Sequence, residues 1–195
     1  ATTHKYKNNL IIIKGYMKSD MKEANKYIDS LLEQMENKKY SWVKKINYIS
    51  IDTVRYLIYY KLSKAEAENL KIMVDVSEKV KKIASNILSS KEINILSEII
   101  GEFFDNAIYA SSESKKKELN LIVYEENNNI IFTFSNTYKG EIDLSLITNN
   151  GFTTKGKGHG FGLYDVEKSI KRNNWLDVKY ELLDNYFVTT LTITK

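Results

Sequence analysis

Cysteine and proline are absent from the 195 residues, histidine occurs twice, and no stretch approaches the roughly 18 consecutive apolar residues that a membrane-crossing helix needs. Without cysteine there are no disulfides and no thiolate metal sites, and His4 and His159 lie too far apart in sequence to build a zinc cluster. Lacking both a long apolar run and a signal peptide, the chain is expected to be soluble and cytosolic. Missing proline together with plentiful Lys, Asn and Ile is the composition of a low-GC bacterial genome. Glycine is scarce too, at eight in all, yet five of these fall between Gly151 and Gly162.

That clustering suits a polyphosphate. The run Gly151-Phe-Thr153-Thr154-Lys155-Gly156-Lys157-Gly158-His-Gly160-Phe-Gly162-Leu163 leads into a helical pattern that continues to Arg172. Without side chains at 156, 158, 160 and 162 the backbone can approach an anion closely with its amides turned inward. The following helix offers its positive N-terminus to the same charge, and Lys155 and Lys157 add to it. His159, inside this run, reads as a solvent-facing residue.

A second element lies about fifty residues upstream, in Glu98-Ile-Ile-Gly-Glu102-Phe-Phe-Asp105-Asn106-Ala-Ile-Tyr-Ala110. Leu96, Ile99, Ile100, Phe103, Phe104, Ala107, Ile108 and Ala110 cover one side of a helix, while Glu98, Glu102 and Asn106 recur every four residues and form one line. Magnesium takes oxygen ligands and keeps several waters, so the Asn106 amide oxygen together with nucleotide phosphates would anchor it. Glu102, one turn earlier, can orient a water in the magnesium shell or accept a proton.

These two segments, in this order, resemble the N box, F box and G2 box of the ATP-binding fold shared by DNA gyrase, a heat-shock chaperone, mismatch-repair ATPases and sensor histidine kinases. Asp105-Asn106-Ala-Ile-Tyr-Ala-Ser and Gly151-Phe-Thr-Thr-Lys155 look most like peptide quorum-sensing kinases of the Agr type. The resemblance implies that Asn106 holds magnesium, that the glycines wrap the triphosphate, and that Phe152 to Lys155 hinge a lid. It departs from the family at the adenine position. Instead of an Asp-x-Gly-x-Gly turn the chain has Ser135-Asn136-Thr-Tyr-Lys-Gly140, so Asn136 stands where the Asp is expected, as it does in Agr-type kinases. Its amide oxygen can accept from the adenine amine, though without charge.

His4 opens His4-Lys-Tyr6-Lys-Asn8-Asn-Leu10-Ile-Ile-Ile13-Lys-Gly-Tyr-Met17. Tyr6, Leu10, Ile13 and Met17 form one helical stripe. At about 100° per residue, His4, Asn8, Ile11 and Gly15 fall on roughly the opposite side. A histidine standing clear of the core can receive a phosphoryl group. His4-x-x-x-Asn8-x-Leu10 resembles the H box of Agr-type kinases, which makes His4 the implied acceptor and Asn8 a residue that bonds the ring or positions a water. Lys5 occupies the place where most relatives carry an acid, so either the base comes from the ATP domain, with Glu102 a candidate, or the neutral histidine relies on its own lone pair.

The expected architecture is α+β. An N-terminal His-bearing hairpin (1–38) has helices near 3–17 and from a Ser19-Asp20 cap to about 37. It is followed by a linker (39–49) and a catalytic two-layer ATP-binding sandwich (50–195). Strands are expected at about 70–76, 118–125, 130–136, 177–183 and 186–194, with turns at Asn127–Asn129 and Asp184–Asn185, and helices at about 51–62, 91–111 and 162–173. Two short amphipathic helices do not bury their apolar faces alone, so a homodimeric four-helix bundle through 1–38 is expected. Residues 1–64 hold 13 Lys plus Arg against 6 Asp plus Glu, while residues 65–195 hold 16 against 19. The scattered lysines of the basic part do not form a nucleic-acid footprint. They suit an acidic response-regulator receiver domain, or a membrane surface next to a sensor region preceding this segment. The expected activity is that of a histidine kinase using Mg-ATP. A phosphotransferase with a weakened ATP site, and a serine kinase of the anti-sigma type, are the alternatives.

Overall fold

The computed structural model describes residues 11–15, 17, 20–36, 42–80, 88–147 and 162–194. The chain divides into two compact units, residues 1–44 and 45–195.

In the first unit, residues 11–15 are helical and helix α1 (Met21–Glu36) follows the expected break. Asp20 caps α1 as its composition predicts, Oδ1 accepting from the backbone amides of Lys22 at 2.8 Å and Glu23 at 3.3 Å. Of the anticipated apolar stripe, Ile13 is half-buried and Met17 is 54% exposed, while Tyr6 and Leu10 lie outside the described residues. Ile11 and Met21 are also more than half exposed, at 58% and 56%.

Lys45–Ile49, assigned from sequence to a linker, fall within the second unit, and Ile46 and Ile49 are buried in it. The segment is tied to helix α3 (Asp52–Ala67) after a single helical turn, α2 (Val43–Ile46). Tyr59 donates to Asn47 Oδ1 at 2.9 Å and the Arg55 guanidinium donates to the Ile49 carbonyl at 2.9 Å. Helix α3 runs five residues past the expected end at 62 because Ser63-Lys-Ala-Glu-Ala67 offers no breaker. It stops where Asn69 takes a left-handed φ of 60° and the Leu70 amide reaches back to the Ala65 carbonyl at 3.1 Å.

Five strands form one sheet in the order β1-β2-β3-β5-β4: β1 (Lys71–Val76), β2 (Glu118–Glu126), β3 (Asn129–Thr137), β4 (Leu176–Leu183) and β5 (Tyr186–Ile193). Each strand lies within two residues of its expected bounds. The sheet is mixed: β1 and β2 are parallel and joined through the long helix α4 (Ser90–Glu113), while the other pairs are antiparallel. Two-residue hairpins close on Asn127 and Asn128, with φ of 52° and 65°, and on Asp184 and Asn185, with φ of 52° at Asp184. Asn and Asp tolerate such φ values because their short polar side chains bond locally.

Helices α3, α4 and α5 (Gly162–Lys171) make the second layer. Alternation sets the inner face, with Leu119, Leu121 and Val123 of β2 buried and Ile122 exposed. Phe103 and Phe104 of α4 meet Phe134 of β3 edge-on at centroid distances of 5.6 and 5.1 Å, fixing the helix over the middle of the sheet. Eleven residues later Ser114 Oγ shares a 2.7 Å hydrogen bond with Thr137 Oγ1, so α4 and the end of β3 advance together. The expected apolar face of α4 is buried except that Ala110 is only half-buried. Ser111 is buried in its stead, its hydroxyl satisfied by the Glu118 carbonyl at 2.9 Å.

Helix α4 begins in a reciprocal capping box. The Ser89 side chain accepts from the Glu92 amide at 3.4 Å, and the Glu92 carboxylate accepts from the Ser89 amide at 2.7 Å. Ser89→Ala is expected to lower unfolding free energy by about 1 kcal/mol in denaturant titration, with the slope unchanged.

Candidate functional site

His4 and Asn8 lie outside the described residues, as do Thr153, Thr154, Lys155, Gly156, Lys157, Gly158 and Gly160 of the glycine run. Glu102, Asn106, Asn136, Gly162 and Leu163 are described, and the first two meet the last glycine of the run.

Helix α4 presents Glu102, exposed, and Asn106, half-buried, one turn apart along one line, with Glu98 exposed at the outer end. Opposite them stands Gly162, the first residue of α5. A Cβ placed on Gly162 would overlap Glu102 Oε2, would sit 3.4 Å from Glu102 Cδ, and would lie 3.9 Å from Asn106 Nδ2. Two motifs separated by more than fifty residues therefore converge on one point, and only glycine fits there without moving a carboxylate. Leu163 follows on the first turn of α5, half-buried. The convergence sets a carboxylate, an amide and the positive end of a ten-residue helix side by side. Oxygen donors of this kind suit a hard divalent cation, and a helix N-terminus whose first residue lacks a side chain suits a phosphate.

The inner face of the sheet carries a polar notch at the neighbouring end. Cross-strand register places Leu119, Asn136, Phe187 and Leu182 in one row and Leu121, Phe134, Thr189 and Tyr180 in the next. Asn136 and Thr189 are thus diagonal neighbours, both buried, on a face otherwise lined by apolar and aromatic groups. Asn136 Nδ2 donates to the Thr137 carbonyl at 3.1 Å, which identifies Oδ1 as the accepting end of the amide. In sequence Asn106 falls between Phe104, which contacts Phe134, and Ser114, which follows α4 and bonds Thr137. Thr189 was not evident in the sequence. Its signal is a hydroxyl at an inner position of Tyr186-Phe-Val-Thr-Thr-Leu-Thr-Ile193, which emerges only when the register with β3 is known.

Tyr180, in the same row as Thr189, packs against Phe103 at 6.4 Å and stacks on Phe187 at 5.9 Å. Burial, and then the Glu167 carboxylate of α5 beside it, raise its phenol well above the ordinary tyrosine range, so it stays neutral. Among the described residues no group of three or more His, Cys, Asp or Glu could hold a metal ion. A cation here would rely on Asn106 and on oxygens of its ligand.

Residues 91–194, more than half of the sequence, match the GHKL domain family. The chain belongs to that family. This GHKL chain is 25% identical over 183 residues to the sensor protein CitS of Bacillus subtilis (strain 168), covering 91% of its own length and 32% of that relative, so it spans about a third of CitS. The fold is that of the catalytic domain of histidine kinase ThkA, with a TM-score of 0.57 at 18% identity over 74% of this chain and 91% of that one. Full-length ShkA in complex with AMPPNP gives a TM-score of 0.56 at 15% identity, over 88% of this chain and 38% of that one. The matched region contains Glu102, Asn106, Asn136, Gly162 and Leu163. Among the described residues no helix is long and apolar enough to cross a membrane.

Proposed function

We propose that this GHKL chain is the catalytic part of a sensor histidine kinase that binds Mg-ATP between α4 and the segment leading into α5 and transfers the γ-phosphoryl group to His4. The observation that carries the reading is the convergence of Glu102 and Asn106 on Gly162. Asn136 Oδ1 accepts from the adenine amine, with the Thr189 hydroxyl beside it. The amides of the glycine run and of the first turn of α5 hold the triphosphate. Asn106 holds the cation, which when bound neutralises charge on the phosphate oxygens.

In the reaction, a lone pair on the neutral His4 imidazole forms the P–N bond as the bond from phosphorus to the β,γ-bridging oxygen of ATP breaks, releasing ADP. The ring proton lost on forming neutral phosphohistidine passes to a base. With Lys5 next to His4, Glu102 is the residue assigned that task or the ordering of a water. A receiver-domain aspartate then takes the phosphoryl group. The CitS relationship supports a sensor parent. The wording around Asn106 and Phe152 supports a peptide-sensing, Agr-type one, with this segment on the cytoplasmic side of the membrane. The exposed Ile11, Met17 and Met21 of the first unit support a homodimer through residues 1–38, since a second copy would cover them.

The assay is incubation with γ-labelled ATP and magnesium, followed by acid and alkali treatment. Label that is acid-labile and alkali-stable is expected, and acid-stable label would replace this reading with serine chemistry. Asn106→Asp is expected to cut magnesium-dependent labelling about 100-fold, because a full charge beside the phosphates changes both ion and nucleotide binding. Circular dichroism should show an unchanged fold, as the side chain faces the ligand space. Normal labelling and unaltered Mg-ATP affinity in calorimetry would make Asn106 an ordinary helix-surface residue.

A further inference from the structure

Helices α3 and α4 pack together, and their buried residues are mostly apolar, among them Ile58, Leu62 and Ala65 of α3 and Ile100 and Ile108 of α4. Leu57 Cδ2 lies 4.0 Å from where a Cβ would stand on Gly101, so the two helices approach closely. One buried cation interrupts this pattern. Lys61 is only 9% exposed, and its ammonium meets Asp105 Oδ2 at 2.5 Å, while Lys64 reaches the other oxygen, Oδ1, at 3.6 Å.

A lysine is rarely buried without cause, and here its partner is not buried with it: the Asp105 side chain stays 39% exposed, so the pair is a poor candidate for a simple stability element. What such a pair supplies is direction. Asp105 immediately precedes Asn106 and so points about 100° away from it around the helix, towards α3. Gripping one therefore sets the rotation of the other. The geometry points to Lys61, assisted by Lys64, as a positioning residue of the nucleotide site: with Lys61 bonded to one oxygen of Asp105 and Lys64 near the other, the pair fixes the turn of α4 on which Asn106 and Glu102 face Gly162. Lys61 touches neither cation nor phosphate; it acts through Asp105 as an outer partner acts on a metal ligand. The inference rests on the nucleotide-site reading above and adds to it the device that orients the site.

Because the Asn106 amide is the group being aimed, losing the grip should weaken the magnesium-dependent part of nucleotide binding and spare the rest. The test measures the dissociation constant of a non-hydrolysable ATP analogue by calorimetry on the whole chain, with magnesium and again with EDTA, together with thermal melts. Lys61→Met and Asp105→Asn are each expected to raise the constant with magnesium about tenfold or more while leaving the EDTA value unchanged. Lys61→Arg, which keeps the pair, should retain the wild-type constant with magnesium. Asp105→Asn preserves shape and decides the matter should Lys61→Met fail to fold. Lowered melting temperature with an unaltered magnesium-dependent constant, or equal losses with and without magnesium, overturns the inference and leaves the nucleotide site standing. A wild-type chain whose binding gains nothing from magnesium overturns both, and shows it before any variant is made.

Discussion

His4→Gln removes all acid-labile labelling from γ-labelled ATP while leaving binding of the non-hydrolysable analogue at the wild-type constant. The expectation follows from having only two histidines. His159 sits in the glycine run, where the backbone is assigned to phosphate binding, and His159→Gln should keep its label. The sequence spacing sets His4 away from the stripe of Tyr6, Leu10, Ile13 and Met17, so removing its ring is expected to cost no core packing. Glutamine keeps polarity and approximate length but has no nucleophilic nitrogen lone pair, since the amide nitrogen is conjugated with its carbonyl. The loss is therefore complete rather than graded. Mass spectrometry of alkali-stabilised peptides checks it directly: phosphate on the peptide bearing His4 is required, and label persisting in His4→Gln would move the acceptor elsewhere and with it the assignment as a kinase acting on this residue.

Much of the second unit was legible in the sequence, for local physical reasons. The five strands alternate or run apolar between Asn and Asp turns, and those turns adopt the positive φ their residues tolerate. Helix α4 showed its face through apolar spacing, but its buried end did not follow hydrophobicity. Ser111 is buried because Glu118, seven residues on, supplies a carbonyl to its hydroxyl, a pairing that depends on how the loop returns into β2. Lys45 to Ile49, within the segment read as linker, are too few to show a helical or strand period on their own. Their anchoring comes from Tyr59 and Arg55 of α3, which no local window reveals.

At the site, the same division holds. Glu102, Asn106 and Gly162 were each recognisable from spacing or clustering, because helical lines and glycine runs are local signals. Thr189 and Lys61 were not. A threonine in a strand is unremarkable until the β3 register sets it diagonal to Asn136, and a lysine in α3 reads as solvent-facing until the helix is laid beside Asp105. Both depend on contacts between elements far apart in sequence. Such contacts are what the fold contributes beyond its parts.

Gly162→Ala tests the convergence itself. A methyl group at 162 occupies the space of Glu102 Oε2, which is the far end of a flexible side chain and can swing aside. Folding should therefore hardly change, since one side-chain rotation of Glu102 relieves the crowding and alanine is compatible with the first position of a helix. Activity should not escape. With the carboxylate displaced by about an ångström or more from Asn106 and the start of α5, magnesium-dependent labelling is expected to fall about 100-fold at near wild-type melting temperature. A double-mutant cycle separates this cause from others. If the methyl acts by evicting Glu102, then in a Glu102→Ala background, where there is no carboxylate to evict, Gly162→Ala should add almost nothing to the loss already present. Losses that multiply instead would mean that residue 162 acts on the phosphates through its own backbone, independently of Glu102. Unchanged activity in the single variant would remove the shared point at which the two motifs meet, and with it the geometric basis for placing the nucleotide there.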